Sequence, residues 1–141
     1  MAHTRQFSAR LDRTVVERLE RRGTRGELNR SRLAERYIDE GMRMEDHPGV
    51  LFRDGPTGRR AGLAGGPDVW EVIAAIRASG LEGEAAVAST ARWASLTTAQ
   101  VRAAVGYYAE YREEIDQRMR RHVEEADADE ARWHREQNAL R

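Results

Sequence analysis

The sequence predicts a mainly α-helical protein assembled from small modules, and three observations carry that expectation. With 141 residues the chain is about the size of one average domain. Yet 34% of its residues are charged, 40% hydrophobic and only 6% aromatic, which leaves little apolar material for one large core. Apolar residues recur at helical spacing through most of the length, and stretches with strand-like patterning are few and short. Small units completed by self-association follow from this.

Composition also excludes whole classes of chemistry. With no Cys, the chain has no disulfide framework, thiolate metal site or cysteine nucleophile. No apolar run approaches the ~20 residues of a membrane span, and Met1-Ala2-His3-Thr4-Arg5 leads into no signal-peptide core, so a cytoplasmic location without membrane contact is expected. Net charge is zero but unevenly spread: +5 over residues 1–36, −2 over 37–107 and −3 over 108–141. A basic head and an acidic tail emerge. All 24 cations are Arg, a bias that a GC-rich coding sequence explains and that implies nothing about function.

Residues 5–11 alternate, with Phe7, Ala9 and Leu11 on one face and Gln6, Ser8 and Arg10 on the other, as in a strand with one buried side. From Asp12 the period becomes helical through Val15, Val16 and Leu19, until Gly23-Thr24-Arg25-Gly26 is expected to break it. A second helix should start after an Asn29 N-cap and carry Leu33, Ala34, Tyr37, Ile38 and Met42 on one stripe. A strand and two helices within residues 1–45 cannot bury such a stripe alone. An intertwined dimer is expected.

A new unit, residues 46–111, opens at His47-Pro48-Gly49. Val50-Leu51-Phe52 and Ala61-Gly62-Leu63 flank Gly55-Pro56-Thr57-Gly58 and read as a small hairpin. Asp68 with Glu71, and Thr97 with Gln100, form two capping boxes. They begin helices carrying Val69, Val72, Ile73 and Ile76, and Val101, Ala104, Val105 and Tyr108, with an Ala-rich helix over 84–94 between them. Three short helices with tight turns predict a trihelical, helix-turn-helix-like bundle. Beyond it, residues 112–141 are highly charged, but Ile115, Met119, Val123, Ala126 and Trp133 thread one stripe, interrupted at Glu130. A charged tail is expected, helical to about residue 126 and partly disordered after it.

The head, over residues 5–44, resembles the ribbon-helix-helix superfamily of Arc-, MetJ- and CopG-type repressors. That resemblance implies an antiparallel ribbon, one strand from each protomer, lying in the DNA major groove. Gln6, Ser8 and Arg10 would face the bases, where Gln can bond adenine, Arg guanine and Ser either. Asn29, Arg30, Ser31 and Arg32 would meet a phosphate at the start of the second helix. An ordinary edge strand with solvated arginines produces the same pattern, so dimerisation without DNA, or neither role, stays open. The connection Arg21–Glu27 is somewhat longer than this family uses.

Residues from His47 to about Met119 resemble the trihelical, homeodomain-like domain of a subgroup of VapB-type antitoxins. His47-Pro48-Gly49-Val50, Phe52-Arg53, Gly58-Arg59-Arg60-Ala61, Val69-Trp70-Glu71-Val72, Leu96, Val101-Arg102-Ala103-Ala104 and Tyr107-Tyr108 carry the likeness. It implies a protein partner, commonly a toxin of PIN-like ribonuclease fold. Residues 68–111 hold three Arg against five acids, which favours protein over DNA contact by this bundle. Arg59, Arg60, Ile115, Met119, Val123 and Trp133 are the expected partner-binding residues.

No metal site, cofactor or enzyme is expected. His3, His47, His122 and His134 are scattered, Gly62-Leu63-Ala64-Gly65-Gly66 is followed by no Gly-Lys-Ser/Thr, and no catalytic triad or carboxylate pair is evident. The expectation is an antitoxin-type repressor, dimeric or of higher even order, that grips operator DNA with its head and neutralises a toxin with its C-terminal part. The alternative is a free-standing dimeric transcription factor whose C-terminal module oligomerises or adds DNA contacts. A scaffold that uses the ribbon only to dimerise is a third.

Overall fold

The computed structural model describes residues 3–26 and 28–141. Among them are six α-helices and one two-stranded antiparallel sheet. The chain divides into two compact units, Met1–Arg43 and Met44–Arg141.

In the first unit, Asp12 starts α1 (Arg13–Arg25) by accepting the Thr14 amide at 2.8 Å. The Thr14 hydroxyl and amide hold its carboxyl below the ordinary Asp range. The helix ends within the expected Gly23–Gly26 stretch: α1 runs through Gly23 to Arg25, and the Gly26 N–H closes it on the Arg22 carbonyl at 3.2 Å. Gly23 serves a different purpose. A Cβ there would lie 3.3 Å from the Arg30 backbone nitrogen, so glycine lets the start of the next helix pass close by. That helix, α2 (Arg30–Asp46), is capped by Asn29, whose Oδ1 accepts the Arg32 N–H at 3.0 Å. Glu27, in the connection, lies outside the described residues.

Residues 5–11 form no strand within the chain. They are exposed and join no ladder, because the one sheet among the described residues belongs to the second unit and a lone strand has nothing to pair with. No α1 residue is buried, and α2 buries only Leu33 and Glu40.

In the second unit, β1 (Val50–Arg53) pairs with β2 (Arg60–Leu63) in register Val50 to Leu63 and Arg53 to Arg60. Gly55 and Gly58 close the turn with reciprocal N–H···O bonds of 3.2 and 2.9 Å. Three helices, α3 (Val69–Ser79), α4 (Gly83–Ala94) and α5 (Thr98–Glu110), each pack on the other two. Glu71 accepts the Asp68 N–H at 2.8 Å, and Thr97 with Gln100 forms its reciprocal box at 2.8 and 3.1 Å. Gly80 stops α3 at φ 67°, a left-handed position that suits glycine. The core joins Leu63, Val69, Val72, Val101, Ala104 and Tyr107.

The last helix, α6 (Arg112–Ala139), departs from expectation twice. It is continuous well past residue 126, with Arg132–Asp129 and His134–Glu130 contacts at 3.1 and 3.6 Å supporting the far half. Its first turns also belong to the bundle, packing on α3 and α5, and Ile115 is only 3% exposed. From Arg120 onward every residue is exposed.

Candidate nucleic-acid interface

Gln6, Ser8 and Arg10 are all exposed, and none has a hydrogen-bond partner among the described residues. The apolar face of the same segment is just as open: Phe7 is 80% exposed. Leu11 continues into a groove of about 320 Å³ lined with Val15, Leu19, Ala34, Tyr37 and Ile38. The first unit thus exposes an apolar surface next to a row of unpaired polar side chains.

The start of α2 is more occupied than its sequence implies. Arg30 is ion-paired with Glu20 at 2.9 Å, which ties α2 to α1, and Arg32 stands 3.8 Å from Glu35. Because Asn29 already takes the Arg32 amide, the backbone N–H groups of Arg30 and Ser31 are the ones left for an anion. Arg22 reinforces the helix pair by donating to the Tyr37 hydroxyl at 3.1 Å.

The expected partner-binding residues are split by the structure. Arg60 pairs with the buried carboxylate of Asp68, which also accepts from Arg53 Nε at 3.1 Å and Trp70 Nε1 at 3.3 Å. Arg59 pairs with Asp54 at 3.3 Å, and its carbonyl accepts from Arg118 at 2.8 Å. Both arginines are therefore engaged within the chain rather than held out to a partner. Ile115 is a core residue, since an apolar side chain one turn into α6 falls directly over the bundle. Met119 packs partly on that core and, with Val123, Trp70 and Ala74, lines a groove of about 630 Å³ between α3 and α6. Val123 and Trp133 are exposed.

Sequence reasoning missed several side chains that organise this unit. His47 Nε2 lies 2.6 Å from Glu110, and its ring meets Tyr107 edge-on at 5.3 Å. Tyr107, fully buried, donates to Glu114 at 2.6 Å. Tyr108 donates to Asp116 at 2.9 Å, and Arg77 bonds the same carboxylate at 2.9 Å. The Tyr108 hydroxyl, and after it Arg77, hold the Asp116 carboxyl below its ordinary range. On α5, Arg102 is paired with Glu84, so the lone cation of that helix is also engaged. His122 stacks on Trp70 with centroids 4.5 Å apart. These pairs span 7 to 63 positions in sequence, and no local pattern marks them.

Among the described residues no three His, Asp or Glu side chains gather as metal ligands, and no helix is long and apolar enough to cross a membrane. No protein-family model matches the chain, and neither a curated protein nor a solved structure matches it.

Proposed function

We propose that the protein is a dimeric DNA-binding repressor of antitoxin type. Its N-terminal segments pair between protomers into a ribbon that reads operator DNA, and its C-terminal unit holds a protein partner. The observation that carries the reading is the unfinished state of the first unit. Phe7, Leu11, Val15 and Ile38 remain exposed in one chain. Burying each contributes roughly 1.5–3 kcal/mol, a sum large enough to drive association of two copies. Pairing through Phe7, Ala9 and Leu11 leaves Gln6, Ser8 and Arg10 on the opposite face, where their donors and acceptors suit base edges. The +5 charge of residues 1–36, doubled in a dimer, attracts phosphate without regard to sequence.

The partner belongs to the proposal through the resemblance of residues 47–119 to antitoxins, and the exposed acidic helix supports it. A net −3 over residues 108–141, with Val123 and Trp133 exposed, suits a basic, RNA-binding protein surface such as that of a ribonuclease toxin. A specific observation favours the second reading, a free-standing transcription factor. Arg59, Arg60 and Ile115 are engaged within the chain, so half of the expected partner contacts are not available.

Thermal unfolding across a range of protein concentrations tests the dimer. The melting temperature of the first unit should rise with concentration, and Phe7→Ser should abolish that rise for it. A concentration-independent melting temperature with a monomeric sedimentation mass contradicts it.

A further inference from the structure

Between β2, the start of α3 and α6 lies a cavity of about 170 Å³. Arg59, Arg60, Arg118 and Arg121 line it, beside Trp70 and a single acid, Glu114. This gathering of cations runs against its surroundings, since the chain from residue 37 onward carries a net −5. Arg118 is fixed by the hairpin turn. Its Nη1 donates to the Thr57 carbonyl at 2.6 Å and to the Thr57 hydroxyl at 3.1 Å, and its Nη2 donates to the Arg59 carbonyl at 2.8 Å. All these acceptors are neutral, so the cation is oriented without being neutralised. The Nε–H and the second Nη2–H, which together form a bidentate edge, are left for another acceptor. Arg121 follows one turn later on the same face of α6, exposed. No carboxylate pairs with either arginine among the described residues. Arg59 and Arg60 do have carboxylates, Asp54 and Asp68, but Asp68 is shared with Arg53. Five arginines thus stand against Asp54, Asp68 and Glu114, which leaves a surplus of two positive charges.

We propose that this cavity is a binding site for a terminal phosphate group. The free edge of Arg118 and the guanidinium of Arg121 donate to the phosphate oxygens, while Arg59 and Arg60, tied to Asp54 and Asp68, keep the wall positive. The charges match: a phosphomonoester carries about −1.5 to −2 near pH 7, equal to the surplus, whereas a carboxylate or a backbone phosphodiester brings only one negative charge. The donors match as well, because planar guanidinium forks suit phosphate oxygens and stay charged at every physiological pH. Trp70 gives the cavity an apolar wall for the atoms that carry the phosphate. A small phosphorylated molecule and the phosphorylated end of a nucleic-acid strand both present this group. The site lies wholly within the second unit, so it stands whether or not the head reads DNA.

Calorimetric titration of inorganic phosphate into the full chain tests the site, at constant ionic strength so that general screening does not enter. The wild type should bind phosphate saturably at one site per chain, and dimethyl phosphate, a monoanionic diester, more weakly. Arg121→Ala should weaken phosphate binding about tenfold or more, the worth of a hydrogen bond between charged groups, and leave the melting temperature unchanged. Arg118→Gln should weaken it at least as much, with its melting curve showing that the hairpin stays folded. Arg135→Ala, which removes an exposed cation of α6 outside the cavity, should leave the affinity as it is. One single-stranded oligonucleotide, titrated with and without a 5′-phosphate, separates the two sources. A gain from the 5′-phosphate that Arg121→Ala removes assigns strand ends, and equal binding of the two strands, with inorganic phosphate still bound, assigns small phosphorylated molecules. The inference is overturned if inorganic phosphate does not saturate the wild type in the millimolar range, or if dimethyl phosphate binds equally well. It is overturned equally if Arg121→Ala binds phosphate like the wild type, or if Arg135→Ala loses as much as Arg121→Ala.

Discussion

Arg60, on β2, pairs with the buried carboxylate of Asp68 at the N-cap of α3, and this pair fastens the hairpin to the helical bundle. Arg53, facing Arg60 across the ladder, bonds the same carboxylate and also the Gly66 carbonyl at 2.8 Å. Asp68 is 7% exposed and thus the hub of two guanidinium groups and one indole. Asp68→Ala would strand two partly buried cations, and removing one member of such a group costs about 3–5 kcal/mol. Urea denaturation should show that loss, and Asp68→Asn should recover only part of it. A loss below about 1 kcal/mol in Asp68→Ala would show that the hairpin is held by packing alone.

The acid limb of stability gives a second test. Asp116 is depressed below its ordinary pKa, first by the Tyr108 hydroxyl and then by Arg77. A carboxyl whose folded pKa lies below its unfolded value contributes stability that is present above the unfolded value, near pH ~4. That contribution is lost as pH falls through the folded value. Asp116→Asn should therefore be less stable than the wild type at neutral pH. The gap should close as pH falls below about 4. A gap that persists unchanged to pH 2 would mean that Asn disturbs packing instead.

How far the fold can be read from the chain depends on whether the cause of each element is local. The Thr97–Gln100 box, the Gly55–Gly58 turn and the left-handed Gly80 each act within a few residues, and all are visible in the sequence. Gly26 ends α1 as the glycine-containing stretch implies, whereas the reason for Gly23 is tertiary: it admits Arg30, seven residues on. The surroundings of Ile115 and Arg60 are tertiary in the same way. An apolar residue on a charged helix, or an arginine after a turn, has a fate set by what lies across the bundle, here the core around Tyr107 and the carboxylate of Asp68. The far half of α6 carries an Arg132–Asp129 ion pair and a His134–Glu130 contact one turn apart rather than an apolar stripe, and a stripe is what sequence periodicity registers.

Truncation separates the two parts of α6. A chain ending at Tyr111 loses Ile115 from the core, and emptying a site of that kind costs about 2–5 kcal/mol. A chain ending at Glu125 keeps Ile115 and Met119 and should melt within a few degrees of the full chain. If the exposed half holds a toxin, the Glu125 chain and Trp133→Ala should both lose toxin affinity in calorimetric titration without losing stability. Undiminished affinity in both variants would place the partner elsewhere, in the groove beside Trp70 and Met119.

Tyr107 tests the buried polar network. Its hydroxyl, inside the core, donates to Glu114 at 2.6 Å. Tyr107→Phe keeps the ring and removes the bond, for an expected loss of about 1.5–3 kcal/mol, the usual worth of a hydrogen bond to a charged group. Urea unfolding of the two proteins measures it. Equal stability would mean that Glu114 is held entirely by its other contacts.

The central claim is that the first unit reads DNA sequence through Gln6, Ser8 and Arg10, and one measurement addresses it most directly. Duplexes selected by the full chain from a random pool are titrated by fluorescence anisotropy beside shuffled duplexes, over a series of salt concentrations. The wild type should prefer its selected duplex by about a thousandfold or more. Arg10→Ala should cost roughly 1–3 kcal/mol on the selected duplex and little on the shuffled one. Arg32→Ala, at the proposed phosphate contact, should weaken both duplexes together and lower the salt slope by about one. A pool that yields no preferred sequence, or an Arg10→Ala variant that loses equally on both duplexes, would contradict base reading by this segment.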